Sequence, residues 1–216
     1  VIDDIKFPSL LISPSLLDFG SIDLSNTTTV LPSRQLQLIN TGNATVQGEI
    51  KPDSLISALS VEKFSLAPGE RISISVTLKS ITSKPASSGL NQKIRCMSVI
   101  TNCGKFDIFA SFALIFPILK VVPNKLGLGT LDLSSDISDT PKAKTSISNS
   151  GGGTLSVRIN TRNQWISVSN SYASLSAGQS VDIWATLSRE APTPDKGKVY
   201  RFADWIQITS NGGNQS

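Results

Sequence analysis

The chain has no histidine in 216 residues. That removes Ser-His-Asp and Cys-His catalysis and the commonest zinc ligand. The two cysteines, Cys96 and Cys103, lack the short Cys-x2-Cys spacing of a structural zinc site. Cys103 falls in a predicted turn and Cys96 in the strand before it. They are poorly placed to face each other, and both are expected to be reduced, which suits a reducing compartment. Carboxylates could do acid–base work as pairs. The candidates are Asp3-Asp4 in a terminal arm and Asp132, Asp136 and Asp139 in a Ser/Asp-rich loop. Solvated charge is the expectation for both, with a calcium site the alternative for the loop. Gly127-x-Gly129 and Gly151-Gly152-Gly153 have neither the Lys-Ser/Thr of a phosphate loop nor a following helix. The expectation is a protein that is not an enzyme, with no metal and no cofactor.

The aromatic residues carry more information. Trp184 lies between the inward-facing Ile183 and Ala185, so alternation turns it outward. Trp205 precedes the inward-facing Ile206 and is expected outward for the same reason. An indole on the outer face of a sheet can cover a neighbouring part of its own chain, bury a protein partner or stack a sugar. Trp165, at the end of a strand, is expected in the core. Lys93 and Arg95 complete the candidate partner-binding set, near Arg71 if their strands pair. Clustered basic residues with interleaved aromatics, as nucleic acid requires, are missing.

These residues are positioned by a duplicated frame. Leu17-Asp18-Phe19-Gly20 returns as Leu126-Gly127-Leu128-Gly129, 109 residues on (20 to 129). The offset continues without a gap through Asn40-Thr41-Gly42 and Asn149-Ser150-Gly151, Ser65 to Gly69 and Ser174 to Gly178, and Asn102-Cys103-Gly104 and Asn211-Gly212-Gly213. Each copy reads as short alternating strands between Gly, Pro, Asn and Ser. Ile72, Ile74, Val76 and Leu78 alternate with polar residues, as do Val181, Ile183, Ala185 and Leu187. About seven such strands in roughly 105 residues predict an immunoglobulin-like sandwich. The fold class is therefore all-β: two tandem sandwiches with almost no linker, over 8–116 and 117–216. A helical turn is possible near Ser54 to Leu59. Ile115, Phe116, Pro117 and Ile118 join the copies without a flexible stretch and are expected to form a buried interface between them. The second copy stops at Asn211 to Ser216, where the first turns into its last strand. Either the sequence is cut there or another segment or chain completes the edge; an open edge would also permit self-association.

Net charge is +4 and the isoelectric point about 9.1, with Lys and Arg scattered. No apolar run approaches the ~20 residues of a membrane span. No signal peptide is visible, and the start at Val1 suggests a piece of a longer protein. Asn26, Asn43 and Asn214 head glycosylation sequons of the kind that chance supplies in a Ser/Thr-rich chain. No nucleic-acid or membrane partner is expected.

The pattern Leu17-x-Phe19-Gly20-x-Ile22, Asn40-Thr41-Gly42, Leu66-x-Pro68-Gly69-Glu70 and Ile72-x-Ile74-x-Val76-x-Leu78 resembles the ASH domains. These are PapD-like sandwiches of abnormal-spindle, Hydin and spindle-defective-type centrosomal scaffold proteins. The resemblance covers most of the first copy. The second matches more loosely and lacks the Pro-Gly turn. It implies an intracellular scaffold at the centrosome, spindle pole or cilium that binds other proteins, scaffold or kinase partners among them. The second copy is also similar to the bacterial BACON domains, through Trp165-Ile166-x-Val168, Gly178 and Ile208-Thr209-Ser210-Asn211-Gly212-Gly213. That likeness implies a cell-surface adhesion or glycan-binding module. A third reading is a spacer in a longer array.

Overall fold

The structure is a computed structural model that describes residues 5–25, 31–79, 87–131, 140–188, 195, 201 and 203–215. Asp3, Asp4, Asn26, Asp132, Asp136 and Asp139 lie outside the described residues. The chain divides into two compact units, Val1–Leu114 and Ile115–Ser216. Every described element is β-strand or connection.

The first unit holds β1 (Leu10–Ser13), β2 (Leu16–Asp23), β3 (Ser33–Asn40), β4 (Val46–Pro52), β5 (Ile56–Leu59), β6 (Lys63–Leu66), β7 (Arg71–Leu78), β8 (Asn91–Thr101) and β9 (Gly104–Ile115). One sheet runs β1-β3-β7-β5 and the other β2-β9-β8-β4-β6. The second unit holds β10 (Leu119–Val122), β11 (Lys142–Asn149), β12 (Leu155–Thr161), β13 (Ile166–Val168), β14 (Tyr172–Leu175), β15 (Ser180–Leu187), β16 (Ile206–Ser210) and β17 (Gly213–Gln215). Its sheets run β10-β11-β15-β13 and β14-β12-β16-β17. This strand order is that of an immunoglobulin-like sandwich in each unit. The 109-residue offset maps β1, β3, β4, β6 and β7 onto β10, β11, β12, β14 and β15 residue for residue.

Alternation builds the cores. Leu36 and Leu38 of β3 and Ile74, Val76 and Leu78 of β7 are fully buried, and each such side chain contributes roughly 1.5–3 kcal/mol. Ile147, Leu155, Val157, Ile159, Leu175, Ile183 and Ile208 form the second core. Pro14 separates β1 from β2, which belong to different sheets, so the break moves the chain across the sandwich. Ser54 and Leu55 form only a turn, and Ile56–Leu59 is a strand rather than part of a helical turn, because its pairing with β7 supplies the backbone bonds. Three residues, Gly213–Gln215, begin a final strand in the second unit.

Both cysteines are free. Cys96 lies in the core, its thiol 3.4 Å from the Ile108 carbonyl oxygen, and burial pushes it up to about 11. At pH 8, alkylation of the native protein should therefore mark Cys103 and spare Cys96 until the first unit unfolds. Peptide mass mapping checks this; rapid labelling of both would contradict the burial. An unfolded cysteine ionises near about 8.5, so the native state binds more protons above that pH, and stability should fall as pH rises from there toward the native value.

Candidate functional site

Trp184 is the best-defined exposed aromatic site. β15 points Val181, Ile183 and Ala185 inward and Asp182, Trp184 and Thr186 outward. β11 pairs antiparallel with it, setting Lys144 opposite Trp184 and Lys142 opposite Thr186. The two ammonium groups lie 5.8 and 5.5 Å from the indole centroid, within cation–π range. Lys144 Nζ also donates to Asp182 Oδ2 at 2.9 Å, which holds that carboxyl below its usual range. Trp184 is 42% exposed, and Val122, on β10 at the far side of β11 in the same sheet, is 54% exposed. The result is an outer sheet face with an anchored indole, two cations and an exposed aliphatic group.

Trp205 stands elsewhere, just before β16 in the opposite sheet. Its backbone N–H donates to Asp204 Oδ1 at 2.8 Å, and Arg162 lies 6.0 Å from its ring centroid. Strict alternation fails at the matching point of the first unit. There β8 shifts register between Arg95 and Met97, and Cys96 and Met97 are both buried. Trp205 occupies the place of Cys96 yet is 42% exposed.

Lys93 and Arg95 lie on β8, in the first unit. Lys93 Nζ is 5.2 Å from the Phe109 centroid. Arg95 donates to Asp53 at 3.0 Å and lies 4.0 Å from Asp107, so its charge is already paired. Arg71 is on β7, in the other sheet; the strand pairing that would have set it near Lys93 and Arg95 does not occur, because β8 pairs with β4 and β9 instead. Leu90, just before this strand, and Ile94, within it, are 55% and 43% exposed, a feature that alternation could not reveal next to a bulge. The structure thus places the four candidate residues in three separate settings. Trp165 is half-buried rather than in the core.

Ile115 ends β9, and Phe116 to Ile118 form a strap on the second unit's first turn. Gly152 N–H donates to Phe116 O at 2.9 Å and Ser150 N–H to Ile118 O at 2.9 Å. Phe116 and Pro117 are buried, Ile115 and Ile118 half-buried. A side chain at Gly151 would strike the Phe116 carbonyl and Ile118 N, so only glycine admits the strap. Phe7 to Ser9 strap Gly42 in the same way in the first unit.

Three carboxylates of the first unit are held by hydrogen bonds and ion pairs. Asp18 accepts from Gly20 N–H and Ser111, Asp107 from Ser98, and Glu49 pairs with Lys51; each is held below its usual range. Their contribution is present at neutral pH and lost as the pH falls through those lowered values. Among the described residues, no three potential ligands gather to hold a metal.

No protein-family model matches the sequence, and no curated protein matches it. The chain is similar to several solved structures. A protein of unknown function from Porphyromonas gingivalis is 19% identical, with 94% of this chain and 93% of that one covered and a TM-score of 0.40. The CsuC–CsuE chaperone–tip adhesion subunit complex of Acinetobacter baumannii is 13% identical over 95% and 94%, TM-score 0.34. The Pseudomonas aeruginosa CupB2 chaperone is 10% identical over 95% and 97%, TM-score 0.35. The chain's own strand order makes it an all-β protein of two tandem immunoglobulin-like β-sandwiches.

Proposed function

We propose that the chain is a non-enzymatic module that binds other proteins through the outer face around Trp184. The observation that carries the reading is the half-exposed indole with Lys142 and Lys144 in cation–π range on a solvent-facing sheet face. Each cation–π contact at such a site contributes only about 0.5–1 kcal/mol, too little to account for leaving so large an apolar group in water. Half-exposed tryptophans ringed by polar groups are the usual anchors of protein interfaces. The lack of histidine and the lowered carboxylates favour binding over catalysis.

The finer settings are a centrosomal, spindle-pole or ciliary scaffold and a bacterial surface module. The motifs behind both are explained by folding. Asn40, Gly42, Pro68 and Gly69 build turns in the first unit, and Asn211 to Gly213 build the β16–β17 hairpin in the second. These residues make turns rather than partner contacts, so protein binding is the part of the proposal that rests on the Trp184 face.

Cross-linking with mass spectrometry, on the intact chain and on Trp184→Ala and Lys142→Glu/Lys144→Glu variants, tests the reading. A specific protein partner should be lost at least tenfold with the variants, while their melting temperatures stay within a few degrees. An unchanged partner set would overturn it. Binding to a glycan array with no protein partner would favour the glycan alternative.

A further inference from the structure

The two copies carry different side chains on one equivalent face. In the second unit, the outward row of β11 and β15 holds Lys142, Lys144, Asp182, Trp184 and Thr186. The 109-residue offset sets Ser33, Gln35, Ser73, Ser75 and Thr77 at the same places on β3 and β7. The pairing is the same in both. Lys142 faces Thr186 and Lys144 faces Trp184, as Ser33 faces Thr77 and Gln35 faces Ser75. The first unit therefore shows what this face needs in order to fold. Short hydroxyl side chains and one amide suffice, and Ser33 Oγ and Thr77 Oγ1 bond to each other at 2.7 Å. The indole and the cations of the second unit are additions to a sheet that forms without them.

The additions have a sign and a spacing. Lys120, on β10, extends the face beyond β11. Along β10, β11 and β15 the outward residues thus include three lysines and a single carboxylate, Asp182. Lys144 holds Asp182 at 2.9 Å, but an exposed ion pair of this kind contributes little and exchanges readily. Among the described residues, no carboxylate pairs with Lys142. Lys142 and Lys144 leave β11 on the same side, two residues and roughly 7 Å apart. Their ammonium groups lie 5.5 and 5.8 Å from one ring centroid, so the positive charge is gathered at the indole.

We propose that the Trp184 face takes an acidic, extended segment of another protein, with carboxylates at two alternate positions and an apolar side chain beside them. This rests on the reading of the face as a protein-binding surface and adds the partner's chemistry. An extended chain repeats its side chains on one side every ~7 Å, which is the spacing of Lys142 and Lys144. Two carboxylates would meet two ammonium groups in charge-assisted hydrogen bonds. The adjoining apolar side chain would cover the indole, which stands where the first unit has only Ser75. Nucleic acid fits less well, because its backbone follows a continuing track of cations. Asp182 lies opposite Ser146, at the level between Lys144 and Lys120, and breaks that track.

The test exposes the intact chain to a displayed library of short random peptides, beside a Lys142→Ser/Lys144→Gln/Trp184→Ser variant. Those replacements are the residues that the first unit carries in the same register, so the sheet should form as before. Peptides retained by the parent, and at least tenfold less by the variant, should carry Asp or Glu at two alternate positions next to an apolar residue. The best of them, made synthetically, should lose at least tenfold in affinity when its acids become Asn or Gln, and should bind more weakly as salt is raised. The converse variant, Ser33→Lys/Gln35→Lys/Ser75→Trp, should double the number of peptides bound per chain. A folded converse variant that binds no second peptide would overturn the proposal. Face-dependent peptides that are neutral or basic would overturn it too, while leaving the protein-binding reading in place. So would the absence of any face-dependent peptide, and the cross-linking of whole partners then decides the broader reading separately. Tighter face-dependent binding of a single-stranded oligothymidylate than of any peptide would assign the face to nucleic acid and overturn both.

Discussion

Asn149→Ala should unfold the second unit at temperatures where the first remains native. The Asn149 side chain is completely buried, and every polar atom of it is used. Its amide donates to Gly153 O at 3.0 Å and Leu175 O at 3.2 Å, and its oxygen accepts from Gly151 N at 3.1 Å and Ile118 N at 3.2 Å. Its backbone adds bonds to Gly178 and Gln179. One side chain thus ties the end of β11 to the following turn, to the entry strap and to β14 in the opposite sheet. Each buried group left unpaired costs about 1–3 kcal/mol, and with the Leu175 bond buried and the other three part-buried the loss is about 2–4 kcal/mol. That is a large part of the ~5–15 kcal/mol that holds a domain together. Asn40→Ala should do the same to the first unit, since Asn40 binds Ala44 O, Leu66 O and Gly42 N at 2.8, 2.9 and 2.9 Å. Calorimetry that resolves two transitions checks both. If each variant moved neither transition by more than a degree or two, the pin would be structurally idle.

The Asn-x-Gly signal at these turns was legible in the sequence as punctuation; the cross-sheet pin was not. Asn40 and Leu66 are 26 residues apart, and nothing local links them. What the sequence did carry was the register. Because the offset is free of gaps, alternation in one copy could be checked against the other, and that made inward residues such as Leu36, Val76, Ile147 and Ile183 readable. Alternation misled where the backbone departs from period two. The shift between Arg95 and Met97 buries two successive residues and exposes Ile94, and a one-residue shift cannot be seen in composition. Pairing was also beyond reach for Arg71, because β7 and β8 follow one another in the chain but lie in opposite sheets.

A cluster of three side chains in the first unit should be exchangeable as a set, and only as a set, for its counterparts in the second. Gly48 pairs with Phe64 on one side and Thr101 on the other. A Cβ added at Gly48 would lie 2.8 Å from the end of the Phe64 ring, 2.7 Å from Thr101 Cγ2 and 2.8 Å from the Ile100 carbonyl oxygen. In the second unit the matching residues are Val157, Ala173 and Ser210, joined by the same pairings. The branched side chain appears where the ring and the threonine methyl are gone. Gly48→Val alone should therefore destabilise the first unit by about 2–3 kcal/mol through overpacking. Phe64→Ala alone should cost about 3–5 kcal/mol, because the ring is 9% exposed and leaves a cavity. The triple variant with Thr101→Ser should return to within about 1–2 kcal/mol of the parent, giving a coupling energy of at least about 2 kcal/mol. The residual follows from Ile100, whose carbonyl is backbone and moves only with its strand. Urea unfolding of the four proteins measures the cycle. Additive losses would mean that the glycine is there for another reason, and that the two copies solve the packing of β4 and β12 independently.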